Sequence, residues 1–176
     1  MMRIACVLAE GFEDSEFKTP YDELGKAGHE VVIIGADKGK TLAGKAGKER
    51  AKVELAIADA APESFDALLI PGGHSPDQLR ADDRFVQFVK AFEHKPIFAI
   101  CHGPQLLLTA EMVRGREMTA WKTIQGDLRC AGAHVMDEAV IVDDNLVTSR
   151  QPDDIPAFVR ESLALLEGGQ EAHAPH

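Results

Sequence analysis

The stretch PIFAICHGPQLLL (Pro96–Leu108) changes its periodicity halfway along. Ile97 to Ile100 is an unbroken apolar run, the pattern of a short strand covered on both faces. Gly103, Pro104 and the leucines that follow have the spacing and the first-turn proline of a helix, predicted over residues 104–113. A strand that turns this abruptly into a helix exposes the residue at the bend, here Cys101. Unpaired N–H groups and positive potential at the helix N-terminus are expected to stabilise a thiolate there and lower its pKa. Position alone leaves two readings of Cys101 open: a nucleophile, or a cysteine that is simply core.

Outward from this stretch the same alternation recurs. RIACVLA (3–9), EVVIIGA (30–36) and DALLIPGG (66–73) are further apolar runs bounded by charge, Gly or Pro. DSEFKTPYDELGKAGH (14–29), ending on a Gly28 stop signal, and DDRFVQFVKAFEHK (82–95), with Phe85, Val86, Val89 and Phe92 at helical spacing, read as helices between them. Strand–helix–strand repetition predicts a doubly wound parallel sheet, an α/β three-layer sandwich of flavodoxin-like type with Cys101 at a nucleophile elbow. HVMDEAVIVDDNLVTSR (134–150) predicts a hairpin turning at Asp143–Asn145, and PDDIPAFVRESLALLEGG (152–169) a helix with an acidic first turn and a glycine stop. One domain over residues 1–168 is expected, followed by a disordered tail, 169–176. The lysine- and glycine-rich segment DKGKTLAGKAGKER (37–50) reads as a solvated loop or hairpin and is given no functional role.

Composition sets the surroundings. The chain has 176 residues, 45% of them hydrophobic and 27% charged, ordinary for a globular domain with a sizeable core. Its formal net charge of −10 argues against nucleic acid or an anionic membrane as partner, since either needs clustered Lys and Arg. No leader or membrane-length apolar segment is read, and the three cysteines form no C-x-x-C pair. A cytoplasmic protein with free thiols is expected.

Three further features bear on chemistry. His102, next to Cys101, reads either as a base for the thiol or as a hydrogen-bonded structural residue. Glu13 and Glu16 in EGFEDSEF (10–17) lie three apart after the first strand. They can share a face toward the crevice that would hold Cys101, or merely complement the helix dipole. A carboxyl group beside a thiolate needs a raised pKa. Gly72 and Gly73, after a strand, can turn backbone N–H groups toward an oxyanion, with Ser75 expected to cap the short helix PDQLR; a plain turn is the alternative.

Taken in order, GFEDSEF (11–17), IPGGHSPDQLR (70–80), AICHGPQLL (99–107), TAWKTIQGDLRCAGA (119–133) and VTSRQPDDIPAF (147–158) resemble the successive blocks of the ThiJ/PfpI superfamily, in particular its intracellular protease, general stress protein and deglycase branch. The resemblance runs from about Arg3 to Leu166. It implies Cys101 as nucleophile, Glu16 as the carboxyl that hydrogen-bonds it, His102 as the triad histidine, the backbone at Gly73 and His102 as oxyanion donors, and Trp121 as an aromatic lining the pocket. Asp77 falls where the proteases carry a glutamate supplied across a subunit interface, and His74 where some members have arginine. Both departures weigh against peptidase activity. The superfamily includes peptidases, glyoxalases, deglycases and redox-sensing stress proteins, so the site is implied more sharply than the substrate.

The expectation is therefore a cysteine-dependent stress enzyme needing no metal or organic cofactor. It would act on a small carbonyl or early glycation adduct and assemble as a homodimer or hexamer. A PfpI-like peptidase acting on peptides and a non-enzymatic redox sensor, in which Cys101 oxidises to a sulfinate, are the alternatives. A class I glutamine amidotransferase is set aside, because no histidine after Cys101 is followed by x-Glu.

Overall fold

The structure is a computed structural model, described over residues 1–172. In chain order its elements are β1 (Arg3–Val7), α1 (Asp14–Lys26), β2 (Glu30–Gly35), β3 (Thr41–Ala43), β4 (Arg50–Lys52), β5 (Leu55–Ala56), β6 (Ala67–Ile70), α2 (Ser75–Arg80), α3 (Asp83–Lys90), β7 (Ile97–Ile100), α4 (Pro104–Thr109), β8 (Glu117–Met118), α5 (Gln125–Cys130), β9 (His134–Val135), β10 (Val140–Asp143), β11 (Leu146–Ser149) and α6 (Ile155–Ala172). The central sheet has the order β10-β11-β7-β6-β1-β2-β5. Every pairing in it is parallel except β10 with β11. Strand order reverses between β1 and β6, which opens a crevice at the carboxyl ends of these strands.

Side-chain alternation builds a core on each face of the sheet. Ala5 and Val7 of β1, Leu68 and Ile70 of β6, and Ile97 and Ala99 of β7 pack with Phe85, Val86 and Val89 of α3 and Leu106 of α4. Ile4, Cys6, Leu69 and Phe98 point the other way, against Phe17 and Leu24 of α1 and Phe158 of α6. Phe85, Val86, Val89 and Phe92, the helical stripe expected from sequence, are all at most 5% exposed. Burial of each stabilises the fold by about 2 kcal/mol. With helices on both faces the architecture is the three-layer α/β sandwich that the strand pattern predicts.

Several local expectations change. The helix after Cys101 ends at Thr109, four residues early, because Glu111 takes φ 58° and the chain breaks away. Ser75 is not a cap: it is the first residue of α2, fully buried, and its Oγ accepts the Ala9 N–H at 2.9 Å, tying β1 to α2. The terminal helix runs through the Gly168–Gly169 pair to Ala172, so residues 169–172 are helical where a disordered tail was expected. Glutamine, glutamate and alanine after the glycines are good helix formers and carry the ladder on. The rest of that expected tail, 173–176, lies outside the described residues. Among the described residues no helix is long and apolar enough to cross a membrane.

Candidate active site

Cys101 is the residue immediately after β7 and has φ 63°, a left-handed conformation rare for any residue with a side chain. Backbone hydrogen bonds on both sides hold it there: its N–H donates to Ser149 O at 2.9 Å, and its carbonyl accepts from Trp121 N at 2.9 Å. The turn also needs Gly103. A Cβ there would stand 2.6 Å from Ile70 O and 2.9 Å from Ile100 O, both backbone atoms of flanking strands. The left-handed turn has a directional consequence. Alternation would place Cys101 with Ala99, but the side chain joins Phe98 and Ile100 on the α1 face of the sheet.

On that face stands Glu16, fully buried. Its Oε1 accepts the Gly72 N–H at 3.0 Å, and Oε2 has no protein hydrogen-bond partner. Burial, reinforced by the Glu13 carboxylate, pushes Glu16 up to about 8, outweighing the opposing pull of the Cys101 thiol, the Gly72 N–H and Lys45. The carboxyl is therefore protonated at neutral pH. Glu16 and the Cys101 thiol act on each other, and Oε2, which has no hydrogen-bond partner, is the oxygen left to carry a proton for chemistry.

The Cys101 thiol is 8% exposed. Burial first, then the charge of Glu16, pushes it up, to about 12, while the backbone N–H groups of His102 and Gly73 pull it down. The lowered thiol pKa expected from a helix N-terminus is thus overturned for the resting site. Helix α4 has only six residues, and desolvation of sulfur outweighs its field. The Glu16 contribution disappears when that carboxyl holds its proton. These are the two backbone groups that the resemblance implied as oxyanion donors, and the structure places both against the sulfur.

Gly73 reaches its position with φ 83°. Residues 72–74 clasp residues 11–13: Glu13 N donates to Gly72 O at 3.1 Å and His74 N to Gly11 O at 2.9 Å. A Cβ on Gly73 would lie 2.7 Å from Gly11 O and 2.8 Å from Phe12 C. Gly73→Ala is expected to destabilise the protein by more than about 1 kcal/mol and to displace an oxyanion donor, read as a lower denaturant midpoint together with a loss of turnover. An unchanged midpoint would show that the clasp relaxes freely.

His102 Nδ1 lies 3.5 Å from Cys101 Sγ. The ring is half-buried, and burial, with Lys45 and His74 adding to it, holds its pKa below the ordinary value against an opposing Asp77. The imidazole is neutral and is placed to accept the thiol proton. Asp77 and His74 are exposed on and before α2. Asp77 acts on His102 from within the same chain by its charge, without a hydrogen bond. Trp121 flanks the histidine, ring centroids 6.2 Å apart. Glu13 is the N-cap of α1 and not a helical residue: its Oε1 accepts from Ser15 N, and its Oε2 pairs with Lys45 Nζ at 3.1 Å.

Lys45 belongs to the segment to which sequence assigned no role. β3 and β4 form a hairpin, and its loop is fastened to the head of α1 by Asp14, whose buried carboxylate accepts from Ala46 N at 2.9 Å, Lys48 N at 2.9 Å and Glu49 N at 2.8 Å. The fold thereby carries Lys45 about thirty residues along the chain to the mouth of the site. The signal that could have found it is Asp14, an acid one residue inside a helix already rich in acids, facing a loop with many free N–H groups. Of the other cysteines, Cys6 is sealed in the core and Cys130 is exposed. Cys130 is therefore open to alkylation as well.

With the site described, the comparisons fall into place. The DJ-1/PfpI family profile matches residues 2–165. General stress protein 18 of Bacillus subtilis is 58% identical over 168 residues, covering 94% of this chain and 98% of that protein. Protein/nucleic acid deglycase 2 of Escherichia coli is 54% identical over 167 residues, with 93% and 97% coverage. A two-domain protein of Anabaena variabilis with DJ-1/ThiJ/PfpI-like and ferritin-like domains superposes with a TM-score of 0.92 at 37% identity, over 95% of this chain and 48% of that one. The match to the family over residues 2–165, and identities of 54–58% along nearly the whole length of these relatives, make this chain a member of the DJ-1/PfpI family.

Proposed function

We propose that this chain is a cysteine-dependent enzyme acting, without a cofactor, on reactive carbonyls or the early adducts they form with amines, as a deglycase or glyoxalase does. The observation that carries the reading is Cys101 in its left-handed turn, facing two backbone N–H groups and the proton-bearing carboxyl of Glu16. The similarity to an Escherichia coli protein named as a deglycase supports it.

The chemistry follows from these groups. His102 Nδ1, in the tautomer that leaves it free, takes the thiol proton. Sγ bonds to the aldehyde carbon of an α-oxoaldehyde, the C=O π pair moves onto oxygen, and the Gly73 and His102 N–H groups hold that charge. Glu16 donates its proton to the oxygen and completes a hemithioacetal. As a carboxylate it then removes the hydrogen on the same carbon as a proton and delivers it to the neighbouring carbonyl carbon through an enediol, while the proton on the first oxygen passes to the second, leaving a 2-hydroxyacyl thioester. Water cleaves the thioester, its OH going to the acyl carbon and its remaining proton restoring Glu16, and His102 returns the thiol proton to sulfur. The net change is oxoaldehyde plus water to 2-hydroxy acid. An amine adduct enters the same path once it opens to amine and aldehyde. The setting proposed is the cytoplasm, where thiols stay reduced, with the chain as a homodimer or hexamer.

The Cys101–His102 contact, with Asp77 acting on the imidazole, supports a second reading as a cysteine peptidase. In that reading Asp77 would complete the triad, from a neighbouring subunit where the assembly brings it close, and activity would fall on dilution. The test is product analysis with methylglyoxal, a preformed glycated amino acid and a fluorogenic peptide. Lactate or released amine is expected beyond many equivalents per subunit, with no peptide cleavage. Product that stops at one equivalent would overturn the enzymatic reading, and peptide hydrolysis lost in Asp77→Ala would favour the peptidase.

A further inference from the structure

We propose that Lys45, delivered by the β3–β4 hairpin and latched by Asp14, is a positioning residue of the Cys101 site: it holds Glu13 by an ion pair and supplies the positive charge that favours negative charge on sulfur. The inference rests on the thiol being the reactive group of the proposed function, but not on any particular substrate.

The placement is built. Nothing in the local sequence of the hairpin requires it to lie over the sheet end. It is held by three backbone N–H groups on one buried carboxylate and by the Lys45 N–H donating to Phe12 O at 2.8 Å. Burial raises the pKa of Asp14, but these N–H groups together with its own more than offset that and keep it ionised. The ammonium group is 44% exposed yet paired with a carboxylate only 18% exposed. The pair draws Glu13, the second-largest cause that raises Glu16, toward the ammonium and away from acting alone on the site. The Lys45 ammonium is also electrostatically coupled to Cys101 and Glu16 themselves.

Every charged group around the sulfur bears on the test. Glu16 at the head of α1, Lys45 on the hairpin and His102 at the elbow act on it directly; Glu13 acts on Glu16, and His74 and Asp77, before and on α2, act on His102. Lys122 is stacked on Trp121, and Arg150 is taken up by Asp154. Removing the ammonium disfavours a thiolate and frees Glu13 to repel one, so both effects raise the pH at which Cys101 ionises. It also relieves His102, whose protonation would oppose this, but only at pH values below the range where the thiol titrates.

The experiment is the pH profile of Cys101 alkylation by iodoacetamide, followed on the Cys101 peptide by mass spectrometry, for wild type, Lys45→Met, Lys45→Arg and Asp14→Asn. Lys45→Met is expected to move the midpoint upward by about 0.5–1 pH unit, slowing alkylation roughly 3–10-fold at a fixed pH on the rising limb. Lys45→Arg should restore the wild-type curve, and Asp14→Asn should shift it the same way and add nothing in the double variant. A Lys45→Met curve superimposed on wild type, or a Lys45→Arg curve displaced as far as Lys45→Met, overturns the proposal; an unmoved Asp14→Asn curve overturns the latch. A displaced profile in a protein that turns over no carbonyl would uphold Lys45 while the proposed function fails. Cys101-dependent turnover with an unmoved profile would do the reverse.

Discussion

Cys101→Ser is expected to lower carbonyl turnover by about 10³-fold or more while leaving the fold intact. The hydroxyl is a far weaker nucleophile than a thiolate and a far weaker acid than a thiol, so the His102 imidazole that takes the thiol proton is too weak a base to ionise it. Serine can occupy the same left-handed turn, since the hydrogen bonds to Ser149 O and from Trp121 N involve only backbone. The change in stability should therefore stay within about 1 kcal/mol. Cys130→Ser is the control, because Cys130 is exposed and would consume methylglyoxal stoichiometrically without catalysis. Lactate per subunit, measured for both variants, decides the matter. Retention of multiple turnovers by Cys101→Ser would remove the thiol from the mechanism.

Glu16→Gln should make the protein more stable at alkaline pH and less active throughout. The carboxyl has an ordinary value of 4.5 and is held at about 8 in the fold, first by burial and second by the Glu13 charge. The native state thus keeps a proton that the unfolded chain has lost between those pH values, so stability contributed by protonated Glu16 is complete below about pH 4.5 and is lost as pH rises through 8. Over that window the loss is on the order of 3–5 kcal/mol. Glutamine never charges. Its amide oxygen can keep the Gly72 N–H bond while its NH₂ occupies the place of Oε2, so the variant should lack this decline and exceed wild type at pH 9. Turnover should fall about 10²-fold, because the proton donor and the base are the same lost group. Chemical denaturation at pH 5, 7 and 9 tests the first half. Parallel stability curves for variant and wild type would show that Glu16 is ionised in the native protein.

These opposite effects on stability and activity distinguish a catalytic carboxyl from a structural one. The fold keeps Glu16 Oε2 in its interior without a hydrogen bond, an arrangement that costs stability in either protonation state and most when the carboxyl is charged. The Glu13–Lys45 pair at the mouth is partly exposed and contributes little to stability, so its value lies in the field it sets over the sulfur.

The apolar runs that became β1, β2, β6 and β7, and the stripe of α3, were legible from spacing, because period 2 and period 3.6 are local properties of the chain, while the short strands β5, β8 and β9 and helix α5 were not read. Also legible was the position of Cys101 at a strand-to-helix bend, since a strand end followed by Gly-Pro permits little else, although the side chain expected to be exposed there is buried. The pKa of the thiol was misjudged because a helix terminus is visible in sequence and desolvation is not. Ser75 was misassigned for the same reason: its hydrogen-bond partner, Ala9, is 66 residues away. Three things were decided only in the folded chain. The left-handed φ of Cys101 turned its side chain to the face of the sheet that carries α1, against the alternation of β7. That turn placed the sulfur beside Glu16 rather than among the aliphatic side chains of the other core. The hairpin brought Lys45 to the same place through Asp14. Each depends on groups distant in sequence meeting at one sheet end, and pairings of that kind are set by the closing of the crevice, not by any local preference of the residues that form it.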